Sequence, residues 1–241
     1  MSLSELKKNF ISLFRGLSEK HNSFDVWSDF ITVTAIAISN ACDKRFFDER
    51  ENQYLARACK YTREELENFA ELFSFVVVAY EINPEQDFLG EMFSSLGLNS
   101  HWKGQFFTPY NIAKCMALIN AKDKDEIDKT EGLISVSDCC CGAGCLLIAF
   151  ANAMKEKGVN YQQKFIFYAQ DVDPIAAMMC YIQLSIIGCR AIIKIGDSLL
   201  HPMTDNEPLD ESYWLTPMHL MGNFLNFMSI FEKEPTDKAT A

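Results

Sequence analysis

Asp138-Cys139-Cys140-Cys141-Gly142-Ala143-Gly144 places an acid and two glycines between the apolar run Leu133 to Ser137 and the apolar stretch Leu146 to Met154. That order reads as a strand, a tight turn and a helix. Glycines at such a turn let backbone approach a ligand closely, and the helix start offers free amides, which suits a nucleoside-type cofactor at a strand-to-helix crossover. Two more apolar runs end in acids. Gln170-Asp171-Val172-Asp173-Pro174 follows Phe165 to Ala169, and Gly196-Asp197-Ser198-Leu199 follows Ala191 to Ile195. A carboxylate at the second strand end can accept from a ribose diol, and one at the third from an exocyclic amine.

A dinucleotide would bring a pyrophosphate to the glycine turn, and its fingerprint has a third glycine that is missing here. Asp138 beside a pyrophosphate is repulsive, whereas a cofactor carrying an ammonium and a sulfonium is attracted. S-adenosylmethionine therefore fits better than NAD. A competing reading makes Asp138, Asp171 and Asp197 plain caps of the elements that follow them.

The elements that must position these residues fall into two textures. Apolar positions recur at helical spacing around Leu6 to Leu17, Val26 to Cys42, Glu51 to Cys59, Arg63 to Tyr80 and Asp87 to Leu96, which predicts an all-helical region over 1–100. Phe24, Trp27, Phe30 and Phe46-Phe47 read as its core, and the region reads as a packing and partner-binding unit. Beyond it, a helix is expected at Tyr110 to Asn120 and a loop over the charged run Lys122 to Glu131. Strands at Leu133 to Ser137, Phe165 to Ala169 and Ala191 to Ile195 then alternate with helices at Cys145 to Lys157 and Pro174 to Ile187, which implies parallel strands with right-handed crossovers over 101–241. Met218 to Phe231 reads equally as helix or strand, and Trp214 as core or as a nucleobase contact.

At 241 residues and 49% apolar content the chain can bury a sizeable core. No apolar run approaches the roughly 18 residues of a membrane span, and the amino terminus lacks a signal-peptide layout, so the expected location is cytoplasmic. Nine cysteines, three of them consecutive, suit reduced thiols better than disulfides or zinc. Cys139 to Cys141 read as small filling beneath the turn. His21, His101, His201 and His219 are isolated in sequence, and no metal site is expected. The net charge of −11 speaks against a chain that grips nucleic acid unaided, Lys44-Arg45 being the slight basic candidate.

Four segments, in order and spacing, resemble the N6-adenine DNA methyltransferases, closest to the modification subunits of type I restriction systems. They are Gly104-Gln105-Phe106-Phe107-Thr108-Pro109, Asp138 to Gly144, Gln170 to Pro174 and Gly196 to Leu199, with a lead-in at Asp87 to Phe93. The resemblance implies a Rossmann-like α/β methyltransferase core with a mostly parallel sheet, shortened after its third strand and preceded by the helical domain. It also implies S-adenosylmethionine as cofactor and DNA as substrate, reached with a protein partner or a second copy. By resemblance Phe106, Thr108, Gly142 and Gly144 surround the methionine end, with Asp138 near its ammonium; Asp171 holds the ribose, Val172 lies against the adenine and Asp197 binds its amine.

The family pattern also has Asn-Pro-Pro followed by an aromatic, which positions a flipped base. That sequence is absent between Asp197 and Ala241. The catalytic residues are accordingly unassigned, and the chain reads as the cofactor half of an enzyme, or as a non-catalytic module derived from one. In the related fold a fourth strand pairs with the first, so Leu133 to Ser137 is expected as a sheet edge that needs covering, by Met218 to Phe231 or by a second chain.

Overall fold

A computed structural model describes residues 1–98, 107–204 and 208–222. The helical region begins with α1 (Leu3–Ser18) and α2 (Ser23–Cys42), continues with α3 (Phe47–Ala58) and α4 (Arg63–Ile82), and ends with the short α5 (Phe88–Ser95). Local chemistry starts these helices where the sequence offers a cap. Ser2 accepts from the Glu5 amide and Glu5 reaches back to the Ser2 amide, a reciprocal pair repeated by Thr62 and Glu65 at the start of α4. The apolar faces then meet in an aromatic core, where Phe10 touches Trp27, Phe30 and Phe88 edge-on with centroids 5.4–6.3 Å apart.

The second half opens with α6 (Tyr110–Asn120) and α7 (Lys124–Lys129) before β1 (Ile134–Asp138). The charged run expected as a loop thus contains a helical turn. Its Lys122–Glu126 and Lys124–Asp128 pairs are spaced i,i+4 on the outside while Ile127 is buried beneath, so one apolar anchor suffices to fold the run. Then come α8 (Cys145–Glu156), the single turn α9 (Tyr161–Lys164), β2 (Phe165–Asp171), α10 (Pro174–Ile186), β3 (Ala191–Ile195) and β4 (Tyr213–Leu215).

The sheet order is β1-β2-β3-β4, with β1 and β3 parallel to β2 and β4 antiparallel to β3. The core is therefore not finished after the third strand: β4 is a three-residue strand too short to stand out in the sequence. Because both parallel crossovers step in the same direction, their right-handedness puts α8 and α10 on one face of the sheet. Phe165, Phe167, Ala169, Ala191 and Ile193 are buried beneath them, while Ser135 and Ser137 on the opposite face of β1 are exposed. Helix α10 is buried almost all round, since α2 packs on its far side. A single apolar cluster accordingly runs from Leu6 to Trp214.

Strand β4 is fastened to the helical region by Arg50, which is 2% exposed. Its guanidinium donates to Ser39 Oγ at 2.6 Å and to the Tyr213 carbonyl at 2.7 Å, and lies over the Trp214 ring at 4.3 Å. Asp43, 3.5 Å away, supplies the counter-charge and also pairs with Arg45. Trp214 is thus a core residue. Arg45, half of the basic pair read from the sequence, is likewise engaged within the fold.

Candidate functional site

The carboxyl ends of the three parallel strands meet at one sheet edge, in staggered register. Asp138 lies opposite Ala169, and Asp171 opposite Ile195. Between Asp138 and α8 the chain makes a turn in which Gly142 has φ 54° and Gly144 φ 90°, the left-handed backbone that glycine adopts without strain. Crowding adds a second demand for glycine. A Cβ at Gly144 would sit 2.8 Å from Cys180 Sγ, and one at Gly142 would press on the Phe107 ring at 3.2 Å. Of the three consecutive cysteines only Cys141 fills space beneath the turn; Cys139 and Cys140 are exposed.

The three acids differ in what they already hold. Asp171 Oδ2 accepts from the Gly142 amide at 2.8 Å and its Oδ1 from the Asp173 amide at 2.9 Å, so it latches the glycine turn to the end of β2. Asp197 Oδ1 accepts from the amides of Leu199 and Leu200 at 2.8 and 3.1 Å, closing the turn after β3. Neither caps a helix, since α10 is capped by Asp173 and the chain after Asp197 forms only a turn, so the cap reading is replaced at these two residues by turn closure. Asp138 is different: Oδ1 accepts from the Cys140 amide at 3.1 Å, while Oδ2 is buried and, among the described residues, without a partner. Burial pushes this carboxyl above the usual range, and the nearby Asp171 charge adds to the push against the Cys140 hydrogen bond.

Of the other expected residues, Thr108 is half-buried and Val172 is 69% exposed, standing out of the sheet edge between Asp171 and Asp173. Phe106 lies outside the described residues; the aromatic seen against the glycine turn is its neighbour Phe107, which also meets Phe93 edge-on at 5.4 Å. Two glutamines escaped the sequence reading. Gln170, 3% exposed, donates to the carbonyls of Gly196 and His201 and accepts from the Met203 amide, tying the 196–203 segment to β2. Gln183 reaches the Ala143 carbonyl from α10 at 2.7 Å. Neither role has a sequence signal, because their partners lie 26 to 103 residues away.

Beside this turn a groove of about 520 Å3 follows the open side of β1, bounded by α6 and α8 and lined by Met116, Ile134, Val136, Asp138 and Phe150. The edge expected from the sequence is present among the described residues, since β1 pairs only with β2. The proposed cover is not seen there. Residues 217–222 form a helical turn that follows β4, where Thr216 bonds Ala191 of β3, two strands from β1; the rest of Met218 to Phe231 lies outside the described residues. No described helix is long and apolar enough to cross a membrane.

The sequence model of the N-6 DNA methylase family matches residues 86–219, from the lead-in to α5 through β4. The chain belongs to that family. As an N-6 DNA methylase relative it is 27% identical over 120 residues to a type I restriction enzyme methylase subunit, MjaIX, of Methanocaldococcus jannaschii. That alignment covers 46% of this chain and 20% of the relative, so the chain spans about a fifth of that protein's length. The fold is also similar to the crystal structure of a type I restriction-modification methyltransferase subunit from Streptococcus thermophilus, with a TM-score of 0.44 and 13% identity, over 86% of this chain and 60% of that one.

Proposed function

We propose that this N-6 DNA methylase domain binds S-adenosylmethionine at the carboxyl ends of β1, β2 and β3. The observation that carries the reading is the buried Asp138 Oδ2, without a partner among the described residues, beside a left-handed glycine turn at the start of α8. An uncompensated carboxylate oxygen there costs stability unless a donor completes it, and a ligand ammonium is such a donor. In this reading Asp138, Thr108, Phe106 and the Gly142 and Gly144 backbone hold the methionine end. Asp171 takes the ribose on lone pairs its two amide bonds leave over, Val172 lies against the adenine, and Asp197 accepts from its amine. When bound, the cofactor supplies an electrophilic methyl group on sulfur.

The family reaction is transfer of that methyl to adenine N6 in DNA. The groups that would polarise and aim the target amine are not recognisable in these 241 residues, which have no Asn-Pro-Pro sequence. We therefore assign the chain the cofactor-binding part of the reaction, with DNA engaged through a cytoplasmic protein partner. The open edge of β1, which lines the groove, is the surface such a partner would extend. A non-catalytic module is the alternative, and labelled-methyl transfer to mixed-sequence DNA separates the two. Thermal denaturation with each cofactor tests the ligand: S-adenosylmethionine raises the midpoint and NADH does not, whereas a rise with NADH alone defeats the assignment.

A further inference from the structure

Gln183 is fully buried in α10, and its amide joins segments that are remote in sequence. Nε2 donates to the Ala143 carbonyl at 2.7 Å and to Asp87 Oδ1 at 2.8 Å; Oε1 accepts from the Tyr80 hydroxyl at 2.6 Å and the Leu89 amide at 2.9 Å. Every hydrogen-bonding position of the amide is used. Its orientation is dictated by its neighbours, because the Leu89 N–H can only donate and the Ala143 carbonyl can only accept. The far side is rigid as well. Asp87 accepts from the Gly90 amide at 2.9 Å, so closely that a Cβ on Gly90 would overlap its carboxylate.

Ala143 stands between the two left-handed glycines of the cofactor turn. The turn is thus gripped from two directions: by Asp171 from β2 at the Gly142 amide, and by Gln183 from α10 at the Ala143 carbonyl. The second grip leads back by hydrogen bonds to α4 and α5, through Tyr80, Leu89 and Asp87. We propose that Gln183 is a positioning residue for the cofactor site, through which the helical region sets the geometry of the 142–144 turn. The proposal rests on reading that turn as the S-adenosylmethionine site. It makes α4 and α5 part of the binding machinery, although neither supplies a group to the strand ends.

Two variants of the full chain test it. Gln183→Glu keeps the size of the side chain and its acceptance from Tyr80 and Leu89, but sets an oxygen against the Ala143 carbonyl and Asp87. Tyr80→Phe leaves the turn untouched and removes one hydroxyl from the far side of Gln183. Amide hydrogen exchange of Gly142 and Gly144 is read without ligand, and S-adenosylmethionine affinity by calorimetry. Gln183→Glu is expected to bind about tenfold more weakly, and Tyr80→Phe about fivefold more weakly. In both, the two glycine amides exchange faster while those of β2 and α2 keep their protection. Wild-type affinity and unchanged glycine exchange in folded Tyr80→Phe overturn the proposal, whether or not Gln183→Glu folds. Wild-type protein that binds no S-adenosylmethionine defeats the ligand reading instead, and the exchange data still decide whether Gln183 positions the turn.

Discussion

Replacing Gly144 by alanine measures how much of the cofactor turn is dictated by the fold itself. At φ 90° an alanine pays the left-handed penalty, about 1–2 kcal/mol. Its Cβ would also lie 2.8 Å from Cys180 Sγ and 3.5 Å from the Cys180 Cα, and with α10 packed on both sides the neighbour cannot retreat freely. Overpacking of this kind adds about 1–3 kcal/mol, so the expected loss is roughly 3 kcal/mol. Gly97 is the internal control: its φ is 70° and nothing lies within 4 Å of the place a Cβ would take, so Gly97→Ala loses about 1 kcal/mol. Urea unfolding of the two variants gives the difference directly. A third variant, Gly144→Ala combined with Cys180→Ala, removes the sulfur that the new methyl meets, and should recover about 1 kcal/mol relative to the sum of the single losses. Equal losses at Gly144 and Gly97, or strict additivity of the pair, would refute the claim that close packing as well as backbone angle selects glycine there.

Arg50→Met breaks the link between α3 and β4, removing one counter-charge from Asp43 and the Arg50 donor from the Tyr213 carbonyl; denaturation should show a loss of about 3–5 kcal/mol. Glu65 gives a pH signature. The Thr62 amide foremost, then the Thr62 hydroxyl, His21 and Lys20, pull its carboxyl down to about 2, so its contribution is present above the ordinary glutamate value and is lost as pH falls towards 2. Acid titration of the melting temperature should therefore be shallower in Glu65→Gln than in the wild type over that interval.

The parts of this fold that were legible in the sequence are those carried by local chemistry. Ser2 with Glu5 and Thr62 with Glu65 mark helix starts, and three apolar runs ending in Asp138, Asp171 and Asp197 mark parallel strands. What escaped depends on contacts distant in sequence. Tyr213–Leu215 becomes a strand because β3 offers an edge and Arg50 holds its backbone, neither of which a three-residue run reveals. Lys124–Lys129 becomes helical because Ile127 has a place to bury. At the site, the acids were legible as a set but their division of labour was not: two of them also secure turns, and Asp138 alone of the three keeps a buried oxygen unmatched among the described residues. Gln170 and Gln183, which hold the turns in place, look like ordinary polar residues until their partners are seen.

Calorimetric titration of S-adenosylmethionine into the wild type and Asp138→Asn tests the central claim most directly. Burial raises the Asp138 carboxyl in the folded chain, so its charge costs stability as pH rises through that raised value. The asparagine removes that cost and keeps an oxygen for the Cys140 amide. The variant should therefore remain folded and no less stable than the wild type at neutral pH. The expected result is one cofactor bound per wild-type chain and at least about tenfold weaker binding by the variant. No binding by the wild type, or equal binding by both, would contradict it.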